Sequence, residues 1–257
     1  MTKNPIATGR RGLLLGACAL ACLAAAPQAG AWAWGMSEQV QGSGTIKRQD
    51  RAVGHFDGLS VAVPGDVEVR TGNTEGVSVE TEDNLLPLIE TVVEDGTLKI
   101  RSRRNTNLRT RHLKIVVQVR QLDRVALAGS ADVRVDAVRG PKVRFDIGGS
   151  GEIKVRHVEG DNVSVNLGGS GELEVEGGST RSLAVSVAGS GEVDLKKLRA
   201  DSANVTVAGS GDATLWVRNT LSMTVAGSGN VEYYGDPQVS KSVLGSGSLR
   251  RLGAAPN

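Results

Sequence analysis

Five acidic residues, Asp132, Glu152, Glu172, Glu192 and Asp212, each stand two residues after the central serine of a repeated pentapeptide. If the copies stack, the carboxylates form one column. Such a column either recruits a cation such as Ca2+ or a cationic ligand, or stays hydrated as a run of turn residues. A repeat dedicated to calcium is denser in aspartate, of the GGxGxD type. That pattern is missing from this sequence, so solvated turns are expected, with no metal and no cofactor. Basic side chains concentrate in RSRRNTNLRTRHLK, which holds Arg101, Arg103, Arg104, Arg109, Arg111 and Lys114. Guanidinium groups grip carboxylate and phosphate in a bidentate fork, so this segment is a candidate contact for anionic or glycan groups. Its plain reading is a solvated loop between strands.

Nucleophilic and metal chemistry find little support. His55, His112 and His157 are far apart and share no ligand spacing. A catalytic serine should be singled out from its neighbours and paired with a base. Here seven serines are equivalent: Ser130, Ser150, Ser170, Ser190, Ser210, Ser228 and Ser246. Two carboxylates of the glycosidase kind could still meet in three dimensions. A regular ladder points to architecture instead, and no catalytic residue is assigned.

The serines advance by 20, 20, 20, 20, 18 and 18 residues. They sit in the corners Gly129-Ser130, Gly149-Ser150-Gly151, Gly169-Ser170-Gly171, Gly189-Ser190-Gly191, Gly209-Ser210-Gly211, Gly227-Ser228-Gly229 and Gly245-Ser246-Gly247. A fixed period near twenty is the mark of a solenoid. On either side of each serine, apolar residues stand at three and five positions' distance, except that Lys241 and Arg251 stand five from Ser246. Val165, Leu167, Leu173 and Val175 do so around Ser170, with polar residues between them. That alternation describes two half-buried strands meeting at a corner. The corner glycines are expected to supply left-handed dihedrals without a Cβ clash. A third apolar position eight after the serine, at Val138, Val158 and Leu198, predicts another wall. A propeller blade would need about forty residues and four strands, so an all-β parallel β-helix with coils of about 18–20 residues is the expected fold.

Composition narrows the function classes. The chain has 257 residues and a formal charge of +2. Residues 1–31 read as an export signal: Lys3, Arg10 and Arg11, the apolar run 12–26, then small-residue cleavage sites after Ala31 or Ala33. Without that segment, which carries three cations and no acid, the formal charge is −1. A nucleic-acid partner then loses its electrostatic argument. The apolar run is short for a membrane span, so the mature chain is expected to have no transmembrane segment. Both cysteines, Cys18 and Cys22, lie inside it. LGAC, ending at Cys18, resembles a lipobox, so lipid anchoring is the alternative to a soluble product. The Arg10-Arg11 pair fits twin-arginine export as well as the general secretory route. Residues 32–55 read as a polar leader and 56–252 as a single β-helix domain, with irregular coils over 56–121 and regular ones over 122–250. Lys241 and Arg251 take expected inward positions, so residues 236–257 read as a terminal cap against edge pairing.

The succession FDGLSVAVPGDVEVRTG, then VSVETEDNLLPLIETVVEDGTLKIR, then VALAGSADVRV with its trailing GSGE and GSGD corners, resembles the head GIN domain family of putative auto-transporter adhesins over residues 42–250. The resemblance implies a right-handed parallel β-helix and export to the periplasm or cell surface. It carries no catalytic residues with it. The function expected is a non-enzymatic envelope protein that binds a glycan or a surface protein. The alternatives are a polysaccharide-active enzyme on the same fold and a structural partner in envelope signalling. The short, uniform coils favour the first, because solenoid enzymes break their ladders with unique residues over one groove. Only Trp216, Tyr233 and Tyr234 interrupt the late coils. Mass spectrometry of the mature protein should find an N-terminus near Ala31–Ala33. A chain beginning at a lipidated Cys18 or Cys22 would overturn the soluble reading.

Overall fold

The computed structural model describes residues 38–256; the signal segment with Cys18 and Cys22, and Trp32 and Trp34, lie outside them. The first strands are β1 (Glu38–Gln41), β2 (Ile46–Arg51), β3 (Gly58–Ala62), β4 (Gly65–Thr71) and β5 (Gly76–Glu82). A single 3-10 turn, Leu86–Leu88, leads to β6 (Ile89–Glu94), β7 (Thr97–Ser102), β8 (Thr106–Arg109) and β9 (Lys114–Val119). The repeats supply β10 (Arg124–Gly129), β11 (Ala131–Gly149), β12 (Glu152–Gly169), β13 (Glu172–Val175), β14 (Gly178–Gly189) and β15 (Glu192–Gly209). They continue as β16 (Asp212–Gly227), β17 (Asn230–Tyr234), β18 (Gln238–Gly245) and β19 (Ser248–Gly253). Seventeen of the strands form one continuous sheet wound as a β-solenoid of about six turns.

Each coil has three walls. The first runs into the glycine corner, the second leaves it, and the third bends back without leaving extended geometry, as in the unbroken β11 and β12. Equivalent residues lie in parallel register from coil to coil, so Val143, Val163, Leu183, Ala203 and Leu221 stack directly. They are buried, as are the third-wall residues Val138, Val158 and Leu198. A narrow interior of this kind has room for Val, Leu and Ile and for few rings. The fully buried aromatic side chains among the described residues are Phe56 and Phe145.

The two glycines of a corner do different work. Gly189, the first, has φ +130, where L side chains are strained, and a Cβ there would lie 2.2 Å from the Gly169 carbonyl oxygen. The second, Gly191, has no positive φ. Its Cβ would stand 2.4 Å from the Gly171 carbonyl oxygen and 2.4 Å from Leu167 Cδ2. The expectation of left-handed dihedrals therefore holds for the first glycine only; the second is required by close approach of the preceding coil. The change of period is absorbed in one place. Between β15 and β16 the register breaks only from Leu195 to Ser202, in the third wall, while the first and second walls stay aligned.

The N-terminal coils depart from chain order. The coil of β3 and β4 is sandwiched: β3 pairs with β7 and β10, and β4 with β9 and β11. Antiparallel strands then end the stack, β6 on β7, β5 on β9 and β2 on β5. Residues 38–51, expected in a polar leader, instead form β1, which pairs with β8, and β2. Their partners, Thr106–Arg109 and Gly76–Glu82, lie outside the repeats, so a reading by repeats does not reach them. Glu82 fastens this end. It is 3% exposed and accepts hydrogen bonds from Thr110 Oγ1 at 2.6 Å, Thr81 Oγ1 at 3.0 Å and the Arg111 amide at 3.4 Å. Burial raises its pKa, but these donors prevail and hold it below the ordinary glutamate value. At the other end, Lys241 and Arg251 stand in register with Met223 and Tyr233, as the inward columns require.

Replacing Gly189 with Ala should destabilise the protein by about 1–3 kcal/mol, from backbone strain and overpacking together. Gly191→Ala should also destabilise it, through contact alone. Ala188→Ser, exposed beside the same corner, should leave the thermal midpoint unchanged. Equal midpoints for all three variants would contradict the corner geometry.

Candidate functional site

The acidic residues do form a column. Asp132, Glu152, Glu172, Glu192 and Asp212 are consecutive partners on the second wall. The column extends beyond the sequence reading, because Asp132 also pairs with Asp66, which pairs with Lys114. The signal for Asp66 was the corner-like VPGD at 63–66. At the far end the acids give way to neutral groups: Asp212 Oδ1 accepts from the Asn230 amide at 2.9 Å, and Asn230 Oδ1 accepts from Ser248 Oγ at 2.7 Å. Burial and then the Glu152 and Glu192 charges push the Glu172 carboxyl above its ordinary pKa. The neighbouring column relieves part of this repulsion, with Lys154 Nζ 2.7 Å from Glu152 and 3.5 Å from Glu174. Among the described residues, no three His, Cys, Asp or Glu side chains are grouped to hold a metal ion.

The basic residues spread over several elements. Arg101 on β7 binds Glu90 at 2.9 Å and Glu94 at 3.6 Å. Arg103 and Arg104 lie in the turn between β7 and β8, Arg109 is on β8, and the Arg111 amide faces Glu82. Lys114, on β9, lines an open cleft of about 590 Å3 on the second wall with Arg48, Arg70 and Glu80. A second cleft of about 580 Å3 crosses the third wall over Gly140, Gly160 and Thr180. Its arginines are largely engaged with acids: Arg181 with Asp161 at 3.3 Å and Arg218 with Asp201 at 3.4 Å. The histidines are each placed against a carboxylate, His55 with Glu75 at 2.7 Å and His112 with Glu80 at 2.6 Å, with His157 3.8 Å from Glu159.

The corner serines act through their backbone. The Ser190 amide donates to the Gly169 carbonyl at 2.9 Å, and the Ser210 amide to that of Gly189 at 2.9 Å.

The alternation in the sequence turns Asn166, Ser186, Thr206 and Thr224 outward as a polar ladder, but sequence reasoning named no site on the outer face of the first wall. Three of its columns are Ser164, Ala184, Asn204, Ser222, Ser240; Asn166, Ser186, Thr206, Thr224, Ser242; and Gly168, Ala188, Ala208, Ala226, Leu244. A fourth runs Asn162, Ser182, Ser202, Thr220, Gln238. Nearly all of these side chains are exposed, and none is charged. The outward charged residues of this wall belong to the earlier coils, such as Lys142 and the pair Arg144–Asp146 at 2.6 Å. The available signal was the polar residue between apolar neighbours, which is uncharged in every late repeat.

Comparison places this architecture among known proteins. Residues 55–237 match the sequence model of the family described as "Putative auto-transporter adhesin, head GIN domain". No protein of curated function matches the sequence. A putative adhesin from Bacteroides fragilis superposes with a TM-score of 0.78 at 22% identity, covering 83% of this chain and 100% of its own. A structure titled putative lipid binding protein, from Parabacteroides distasonis, gives 0.70 at 27% identity, over 84% of this chain and 100% of its own. A putative adhesin from Parabacteroides merdae gives 0.67 at 18% identity, over 84% and 99%.

Glu172 should cost stability. A carboxyl whose pKa is raised on folding opposes folding increasingly as pH rises from the unfolded value, about 4.3, through the folded one. Glu172→Gln should therefore raise the thermal midpoint at pH 7, and the gain should vanish below about pH 4. A lower midpoint at pH 7 would show that the carboxylate is held by attraction and not strained by repulsion.

Proposed function

This chain belongs to the head GIN domain family, and from that premise we propose that it acts at the bacterial envelope by binding a surface, adhesin-like, and not by catalysis. The observation that carries this reading is the repetition of equivalent groups along each outer wall. A surface of identical ladders offers many equal, weak contacts, and their sum depends on several being engaged at once. An active site needs unlike groups with separated pKa values around one pocket. The two clefts are open, and arginines and acids paired with one another make up much of their lining, as Arg48 with Asp50 and Arg181 with Asp161 do. The names of the relatives, adhesins and a lipid binding protein, support surface binding in the same way. The interior is filled with side chains near zero exposure, so binding falls to the outer faces.

Membership of the family supports a location outside the cytoplasm, the location that the export signal read from residues 1–31 would also give. The polysaccharide-active alternative differs in one measurable respect. Incubation with envelope and plant polysaccharides should release no reducing ends and no unsaturated products, while the protein is retained on the polymer or on whole cells. Turnover that a single substitution abolishes would establish the enzyme instead.

A further inference from the structure

The outward positions of the five late strands of the first wall are exposed and carry no charge; the one charged residue on these strands, Lys241, stands in an inward column of the last. The same coils carry their charges elsewhere: Glu192 and Asp212 on the second wall, Arg181 and Asp201 on the third. Nothing in the fold requires this, since Arg144 and Asp146 occupy the same columns one coil earlier without breaking register. A protein surface ordinarily mixes both signs of charge for solubility, so the exclusion gives up solubility on one face only.

We propose that this face is the docking surface, and that its occupant is an extended, uncharged polysaccharide whose chain runs along the stack. The proposal rests on the surface-binding reading above and adds the face and the ligand class. The column Asn166, Ser186, Thr206, Thr224, Ser242 presents a hydroxyl or amide at every coil. Successive coils are about 4.8 Å apart, close to the length of one extended pyranose unit. Hydroxyls and amides both donate and accept, as sugar hydroxyls do, so each coil can meet one sugar with matched polarity. The neighbouring column of Gly168, Ala188, Ala208 and Ala226 has no long side chains to hold a polymer off.

Charge complementarity selects among occupants. Acidic polysaccharides, nucleic acids and anionic lipid are drawn by clustered cations, which this face excludes and the earlier coils carry. A second copy of the chain is disfavoured for another reason. Stable protein interfaces rest on buried aromatic and arginine anchors, and the sole large apolar side chain here is Leu244, 69% exposed at the end of its column. What remains is a partner recognised by many weak neutral contacts, gaining affinity with length.

The test uses the full exported protein and immobilised cellulose, curdlan and a neutral mannan, with polygalacturonate as the anionic counterpart. The expected result is retention on at least one neutral polymer that is unchanged up to about 0.5 M salt, since no charge pair is being screened. Thr206→Lys and Thr206→Glu should each weaken it on the order of tenfold by interrupting the run of contacts. Ser186→Lys, one coil away, repeats the measurement if either variant folds poorly, and circular dichroism checks the fold in each case. Replacing the five acids of the second wall with Asn should leave retention intact. Opposite effects of Lys and Glu would mean a charged occupant and overturn the proposal. So would loss of retention only in the acid-column variant, although surface binding itself would stand. A dimer in sedimentation that Thr206→Lys dissociates would assign the face to a second copy. Retention on no polymer and on no cells would overturn the surface-binding reading along with it.

Discussion

At each corner the backbone of one coil touches the backbone of the coil before it, and this contact sets everything else. The Gly129 carbonyl accepts the amides of Ser150 and Gly151, both at 3.0 Å, and a Cβ on Gly149 would come within 2.4 Å of the same oxygen. No side chain fits between the coils there, so glycine recurs and the stack cannot slip. A slip of one residue would also turn every inward side chain outward. The contact thus fixes register, and register makes like residues neighbours.

Neighbouring likes have opposite consequences on the two sides of the sheet. Inside, Val on Leu on Ile is close packing, and each coil completes the burial of the last. Outside, equal charges in register repel, and this adds to burial in raising the pKa of Glu172. The chain meets this in three ways. Cations from the adjacent column approach the acids, as Lys154 does. Acid and base alternate in the third wall, as Asp161 and Arg181 do. At the outward positions of the late coils of the first wall, charge is absent. The third arrangement is the one a neutral, repeating ligand would read.

A solenoid must also end. The N-terminal end closes with antiparallel strands that reverse the pairing direction, held by the buried carboxylate of Glu82. At the C-terminal end two of the inward columns finish on Lys241 and Arg251, and the Arg251 Nε donates to the Gly235 carbonyl at 2.6 Å. The columns beside Lys241 finish on Val239 and Val243, 39% and 37% exposed, so the polar groups interrupt the apolar edge of the last coil without removing it.

The sequence by itself determined the repeat, the corner, the three walls and the acidic column, because each depends on residues close in the chain and repeated at a constant step. Val138, Val158 and Leu198 announced the third wall in this way, and the VPGD corner announced the coil of β3 and β4. Tertiary structure decided what depends on partners distant in sequence. It placed the 97–119 coil outside the 58–71 coil, turned residues 38–51 into edge strands, and divided the basic segment among β7, a turn, β8 and β9. It separated the corner glycines into one that needs its dihedral and one that needs its missing Cβ, and it located the two lost residues of the shorter coils in the third wall. The uncharged face belongs to both. Its residues are legible one repeat at a time, but only the unbroken parallel register assembles them into a surface.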